Sequence, residues 1–173
     1  MEGIFHRELS GSRSAEKLHK TTISVRKKPV ISVNKHFLRL FDSKKKVVYF
    51  IVGNKPVKYP FHRRSRILYI GRTERTGSRP FESLKENAPS LLGQHGMKTL
   101  EIVYVEAKGR QRVAIADKLE RTFLHEFRAF YGSVPKANIQ GSRKIELTDE
   151  EKYVRLDRVR EILRNVSGED PPE

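Results

Sequence analysis

Three stretches of the chain are dense in β-forming residues and predict strands. The first is "VVYFIV", starting at Val47, and the second is "ILYIG" at 67–71, after a turn and the basic loop "KYPFHRRSR". This order predicts an antiparallel hairpin with a long loop. The third stretch, "TLEIVYVEA" at 99–107, is apolar on both faces, which is typical of a middle strand.

Helical periodicity is strongest over residues 112–131, and Gly132 follows as a C-terminal stop. One apolar stripe runs along this segment and consists of Ala116, Leu119, Phe123, Phe127 and Phe130. A shorter helical period follows Ser78, which is a good N-cap, and we expect it to end at Pro89 and Gly93.

The pattern divides the chain into three parts. Residues 1–45 are predicted to form a basic arm, mobile or loosely docked over 1–28, in which the apolar spacing of 33–41 predicts a short docking helix. Residues 46–145 form a small α/β domain with a three-stranded antiparallel sheet flanked by helices. Residues 146–173 form a C-terminal helix, starting at a capping box on Thr148, and a polar tail.

Composition adds a partner class to this picture. The 173 residues suffice for one domain with a core. Lys and Arg number 36 against 21 acidic residues, giving a net charge of +15, and residues 1–46 alone carry +8. Such an excess indicates a polyanionic partner, and nucleic acid is the leading candidate.

Other compartments and partners are disfavoured. We expect no membrane association, because the sequence has no apolar run of membrane-spanning length and no basic amphipathic helix with an aromatic face. The first residues lack the apolar core of a signal peptide, and the chain has no cysteine. These features favour a cytoplasmic protein.

Several common site motifs are incomplete. His125 and Glu126 begin a zinc-helix pattern, but position 129 is alanine. "GRTERTG" lacks the Gly-Lys-Ser/Thr ending of a phosphate loop. What remains is an ordered set of polar residues on successive elements: Tyr49, Tyr69, Arg79, Glu120 and Asn138.

Glu120 is the most informative of these residues. It borders the apolar stripe of the 112–131 helix, where an acid rarely lies unless it is paired or bound to a cation. The residues alone leave two interpretations open, an ion pair with a nearby arginine or a cation site.

The ordered set resembles the GIY-YIG nuclease family over about residues 46–142. The second half-motif is intact as Tyr69-Ile70-Gly71, whereas the first is degenerate, with Val47-Val48-Tyr49 keeping only the tyrosine. Arg79 lies where the family has its catalytic arginine, Glu120 in "ERTFLHEF" where it has its metal-binding glutamate, and Asn138 in "PKANIQG" where it has a late asparagine.

The resemblance implies a metal-dependent endonuclease. Tyr49 would be the general base, Tyr69 would position the water or phosphate, and Arg79 would contact phosphate. Glu120 would hold Mg²⁺ or Mn²⁺, and Asn138 would order the site by amide hydrogen bonds. The chain departs from the family at Ser83, where many members carry His or Tyr, which puts the second proton-transfer group in doubt.

Basic residues around this set are expected to contact the substrate, and Arg72, directly after Gly71, is expected to be free for the nucleic-acid backbone. The other expected contacts are Lys44, Lys45, Lys46, Arg63, Arg64 and Arg75. DNA is favoured over RNA, and a homodimer is expected if both strands are cut. Two alternatives stay open: a catalytically inactive nucleic-acid-binding module and a structural protein of a ribonucleoprotein. The presence of Glu120 disfavours the inactive binding module, because an acid in a basic groove repels phosphate.

Overall fold

Four antiparallel strands form the sheet of this protein in the computed structural model, which describes residues 18–24, 46–74, 79–107, 114–141, 147 and 153–168. The strands are β1 (Leu18–Ser24), β2 (Val47–Lys58), β3 (Arg64–Thr73) and β4 (Thr99–Glu106). Their order in the sheet is β1-β4-β2-β3, and every neighbouring pair is antiparallel. The three predicted strands and the antiparallel hairpin are therefore confirmed.

The strand β1 was not predicted, since it lies inside residues 1–28, which we expected to be mobile or loosely docked. Leu18 pairs with Val105 and Ser24 with Thr99. β4 is thus paired on both edges, by β1 and by β2, which agrees with the interior strand predicted from its two apolar faces. The docking helix predicted at 33–41 lies outside the described residues.

Three α-helices complete the fold: α1 (Arg79–Gln94), α2 (Ile115–Tyr131) and α3 (Leu156–Ser167). A 3₁₀ helix (Lys136–Gly141) follows α2. Of the two residues predicted to end α1, Gly93 agrees with the structure, where the helix ends at Gln94, and Pro89 does not. The helix continues through Pro89 because Ala88 and Leu91 on either side are buried against the sheet. Within the described residues, no helix is long and apolar enough to cross a membrane.

α2 ends as its sequence predicted. Gly132 has a φ of 81°, in the left-handed region that favours glycine, and its N–H donates to the carbonyl of Arg128 over 2.8 Å. The C-terminal helix starts later than expected, at Leu156, and the predicted capping box at Thr148 lies outside the described residues.

Helices cover both faces of the sheet, as predicted, and alternate residues of β2 reach the two cores. Val48 and Phe50 pack towards α2 and α3. Tyr49 and Ile51 pack towards α1. Because β3 is an edge strand, side chains from the α1 face and from α2 can meet around its C-terminal end.

An ion pair between a buried carboxylate and a half-exposed arginine joins the two helices on the second face. Glu126 of α2 is 4% exposed, and the Nε atom of Arg160 of α3 donates to its Oε2 atom over 2.6 Å. This pair provides a cationic partner for the third acidic residue of the helix, after Asp117 and Glu120.

Candidate active site

Two tyrosine rings on the α1 face enclose Gly71 of β3. A Cβ atom at Gly71 would lie 2.6 Å from the Tyr69 ring and 2.7 Å from Oη of Tyr49, which is closer than real Cβ contacts come. We expected the strand to end at this glycine, but β3 continues to Thr73. Glycine is required at position 71 because the two rings occupy the space of a side chain.

Tyr49 is completely buried, and its hydroxyl shares a hydrogen bond of 2.8 Å with Oγ of Ser83 on α1. Burial, and secondarily the neighbouring Tyr69, raises the pKa of Tyr49 well above its ordinary value. A general base needs the opposite shift. Tyr69 is the more accessible phenol of the pair, because it is partly exposed and lines a cleft.

Arg79 is the first residue of α1, the element that follows β3 in the chain. Its side chain is 54% exposed, and its Nη1 atom lies 3.9 Å from Glu82. The Arg79 charge is also among the causes that lower the pKa of Tyr49 and of Glu120 against the dominant effect of burial. The guanidinium lines the same cleft as Tyr69, and its charge favours the ionised forms of Tyr49 and Glu120.

Glu120 lies on α2, and its carboxylate forms an ion pair with Arg72 of β3. The Nε atom of Arg72 donates to Oε2 of Glu120 over 3.0 Å. The Nη1 atom of Arg72 lies 2.8 Å from Asp117 and 3.2 Å from Glu74. Our expectation that Arg72 is free to contact the nucleic-acid backbone is therefore wrong for this state of the protein, because three carboxylates hold its guanidinium.

Burial nevertheless dominates the electrostatics of Glu120. Its side chain is 20% exposed, and burial raises its pKa to about 7, against the opposing charge of Arg72. A carboxylate in this condition is stabilised by any further cation that reaches it.

The donor set at this position is compatible with a hard divalent cation. Glu120 offers carboxylate oxygens and is partly open to water, which suits Mg²⁺ or Mn²⁺ with water as the remaining ligands. Over the described ranges, no cluster of three or more His, Asp or Glu residues is arranged to hold a metal ion. A cation here would depend on one carboxylate, and it would compete with Arg72.

Asn138 of the 3₁₀ helix contacts the backbone between the two motif residues of β3. Its Oδ1 atom accepts from the N–H of Ile70 over 2.9 Å, and its Nδ2 atom donates to the carbonyl of Ile70 over 2.7 Å. These amide hydrogen bonds are the kind that we expected. They fix the position of Ile70 and, with it, of Tyr69 and Gly71 on either side.

A cleft of about 820 Å³ lies between α1 and the 3₁₀ helix. Its lining includes Tyr69 and Arg79, together with three residues that the sequence reading missed: Asn87, His95 and Lys136. Partial burial, and then the charge of Lys136, lowers the pKa of His95, so its imidazole is neutral at physiological pH. Since none of the three belongs to a motif, only the folded chain reveals them.

The predicted nucleic-acid contacts are scattered. Lys46 lies 4.0 Å from Glu74, at the margin of the Arg72 cluster. Arg63 and Arg64 lie at the β2–β3 loop, and the five residue steps from Arg64 to Tyr69 span roughly 17 Å of β3. Lys44, Lys45 and Arg75 lie outside the described residues.

Comparisons of the chain with protein-family models, with curated proteins and with solved structures found no match.

Proposed function

We propose that this protein is a metal-dependent endonuclease that hydrolyses phosphodiester bonds in nucleic acid, with DNA preferred over RNA. The observation that carries the proposal is a cleft lined by Tyr69, Arg79 and Asn138, together with a largely buried carboxylate, Glu120, on which the Arg79 charge acts. Tyr69 comes from β3, Arg79 from α1 and Glu120 from α2 on the other face of the sheet, where Arg72 of β3 pairs with it outside the lining of the cleft.

The residue types match the needs of phosphodiester hydrolysis, which requires an oriented water, cations around the phosphate and support for the leaving oxygen. The exposed guanidinium of Arg79 provides planar donors for two phosphate oxygens. Glu120 would hold Mg²⁺ or Mn²⁺, which supplies Lewis-acid stabilisation of the phosphate and of the leaving oxygen when bound.

The two tyrosines take different roles from those first expected. Tyr69 lines the cleft and can contact the attacking water or a phosphate oxygen. Tyr49, which is buried and hydrogen-bonded to Ser83, holds the Tyr69 ring, with ring centroids 5.9 Å apart. Ser83 thus serves the buried phenol, at the position where many GIY-YIG nucleases carry His or Tyr.

One observation favours the alternative, a catalytically inactive nucleic-acid-binding module. Arg72 already neutralises Glu120 at 3.0 Å, so the acid does not need a metal ion to be paired. In that case Glu120 would stabilise the fold and take no part in chemistry.

A cleavage assay with a matched pair of variants separates the two functions. Purified protein is incubated with single- and double-stranded DNA and RNA in Mg²⁺, Mn²⁺ or EDTA. The wild type, Glu120→Gln and Glu126→Gln are compared, since both acids lie on α2 and both are paired with an arginine. Binding and melting temperature are measured alongside.

Glu120→Gln is expected to remain folded, to bind nucleic acid and to lose metal-dependent cleavage. Glu126→Gln removes the charge of a buried carboxylate that is paired with the half-exposed Arg160, so it is expected to lower the melting temperature while the remaining folded protein still cuts. Binding without cleavage in every metal would identify the inactive module. Near wild-type cleavage by Glu120→Gln would exclude Glu120 from the chemistry.

A further inference from the structure

The β2–β3 loop carries the most exposed large apolar side chain among the described residues. Phe61 is 60% exposed, and Tyr153 follows at 47%. Phe61 is the fourth residue of the predicted basic loop "KYPFHRRSR", and it lies between the buried Tyr59 and three basic residues.

The exposed Phe61 ring is held in place by contacts with the end of α2. The N–H of Phe61 donates to the carbonyl of Tyr131 at the end of α2, over 3.3 Å. The ring lies against the backbone of Gly132, where a Cβ atom would approach it to 2.8 Å. Tyr59 is 2% exposed, and its hydroxyl donates to the carbonyl of Ile67 over 2.7 Å. Contacts with the end of α2 therefore fix Phe61 in its solvent-exposed position.

Basic residues follow Phe61 in the chain and contact neighbouring aromatic rings. Arg64 is exposed, and Arg63 lies over the ring of Phe130, 5.5 Å from its centroid. Among the described residues, no carboxylate forms an ion pair with Arg63 or Arg64. Lys136, whose Nζ atom lies 4.9 Å from the centroid of the Tyr59 ring, lines the cleft that contains Tyr69. Cationic side chains thus extend from the cleft to the loop.

We propose that Phe61 stacks on an unpaired base of a nucleic-acid strand that runs from the cleft past Lys136, while Arg64 contacts its phosphates. An exposed aromatic ring among arginines is the arrangement that binds single-stranded nucleic acid, because every base offers a face for stacking. The roughly 17 Å of β3 between Arg64 and Tyr69 corresponds to about five nucleotides at the rise per nucleotide of one stacked DNA strand. The proposal rests on a nucleic-acid substrate, and it adds a second contact that does not depend on Glu120.

The chain contains no tryptophan, so a single substitution places a unique fluorophore at this position. Phe61→Trp and the control Tyr153→Trp are each combined with Glu120→Gln, and both are titrated with oligothymidylate in EDTA. Emission is excited where tyrosine does not absorb, and binding is followed independently by the anisotropy of a labelled oligonucleotide. We expect quenching on binding with Phe61→Trp and unchanged emission with Tyr153→Trp.

Affinity is tested by substitution. Phe61→Ala should weaken binding of single-stranded DNA roughly 10-fold, and Phe61→Tyr should restore it, because stacking needs a ring. Arg64→Gln should lower the slope of log affinity against log salt by about 0.7, as expected for one phosphate on a single strand.

The outcomes distinguish this inference from the proposed function. Tight binding with unchanged Phe61→Trp emission and full affinity of Phe61→Ala would overturn the stacking contact and leave the nuclease proposal intact. The contact would also be overturned if Phe61→Ala changed only self-association, which would make the loop an interface between copies. If no variant and no wild-type protein bound nucleic acid, both proposals would fail together.

Discussion

Arg72 and Glu120 form an ion pair in which Nε donates to Oε2 over 3.0 Å. Asp117 and Glu74 hold the other side of the same guanidinium. The protein therefore carries its own cation at the carboxylate proposed for a metal ion. In the proposed enzyme, Arg72 must leave Glu120 before the ion can bind, and its 36% exposure gives the side chain a way out towards solvent.

Removal of this internal cation should strengthen metal binding. We expect Arg72→Gln to raise the affinity for Mn²⁺ roughly 5-fold in the absence of nucleic acid, which corresponds to about 1 kcal/mol for a partly exposed pair. Electron paramagnetic resonance of free Mn²⁺ measures this affinity directly. Arg66→Gln is the matched control, because Arg66 is also on β3 and pairs with Glu101 at 3.7 Å. Equal affinity in both variants would mean that Arg72 does not compete with the ion.

The raised pKa of Glu120 predicts a pH-dependent rate. Because only the ionised carboxylate binds a cation, metal-dependent cleavage should fall as the pH drops below about 7, where Glu120 takes up a proton. Cleavage rates at a metal concentration below saturation test the prediction across this range, because a saturating cation would displace the proton from Glu120. A rate that is flat from about pH 6 to about pH 8 would contradict it.

The raised pKa of Glu120 also predicts that the folded protein becomes less stable as the pH rises, whereas the cleavage rate increases. The folded protein binds a proton at Glu120 more tightly than the unfolded chain does. The free energy of unfolding therefore falls as the pH rises from the ordinary carboxylate value to about 7, by about 3 kcal/mol at most. Glu120→Gln removes this cost. Its melting temperature relative to wild type should be higher at about pH 9 than at about pH 5, and a constant difference would contradict the shift.

Replacement of Arg79 by lysine should be about as damaging to cleavage as its replacement by alanine. Arg79→Lys and Arg79→Ala are both expected to reduce the cleavage rate roughly 100-fold, because an ammonium group cannot make the planar contact with two phosphate oxygens. Lys85→Ala, at an exposed position of the same helix, is the control for loss of charge. If Arg79→Lys kept most of the rate, Arg79 would act only as a general positive charge.

The two tyrosines should differ in which property they affect. Tyr69→Phe is expected to keep the melting temperature and slow cleavage roughly 100-fold. Tyr49→Phe leaves Oγ of Ser83 without its partner, so it should lower the free energy of unfolding by about 1 kcal/mol. Adding Ser83→Ala should restore part of that stability, because both partners of the hydrogen bond are then absent. A larger rate loss for Tyr49→Phe than for Tyr69→Phe would return the base role to Tyr49.

The sequence predicted those parts of the fold that local patterns determine. The strands at Val47 and Ile67 are dense in apolar residues, and the stripe along α2 has helical spacing, so both could be found from neighbouring positions. β1 could not, because "LHKTTIS" has only two large apolar residues and its strand is defined by backbone pairing with β4, about 80 residues away in the chain.

The candidate site was likewise predictable only in the part that the local sequence determines. The order of Tyr69, Arg79 and Glu120 along the chain was enough to bring them into one hypothesis. The partner of Arg72 was not predictable, since an ion pair depends on how α2 lies against β3. One signal was available: Asp117 lies three residues before Glu120, so both carboxylates share a face of the helix.

Asn138 has a consequence for solubility as well as for the site. β3 is an edge strand, and an edge strand offers unpaired N–H and C=O groups that can template aggregation with a second chain. At Ile70 both groups are occupied by the Asn138 amide, at 2.9 and 2.7 Å. Another strand cannot add to the sheet at this point without displacing Asn138. One side chain thus protects the edge against intermolecular β-pairing at the place where Tyr69 and Gly71 must remain accessible.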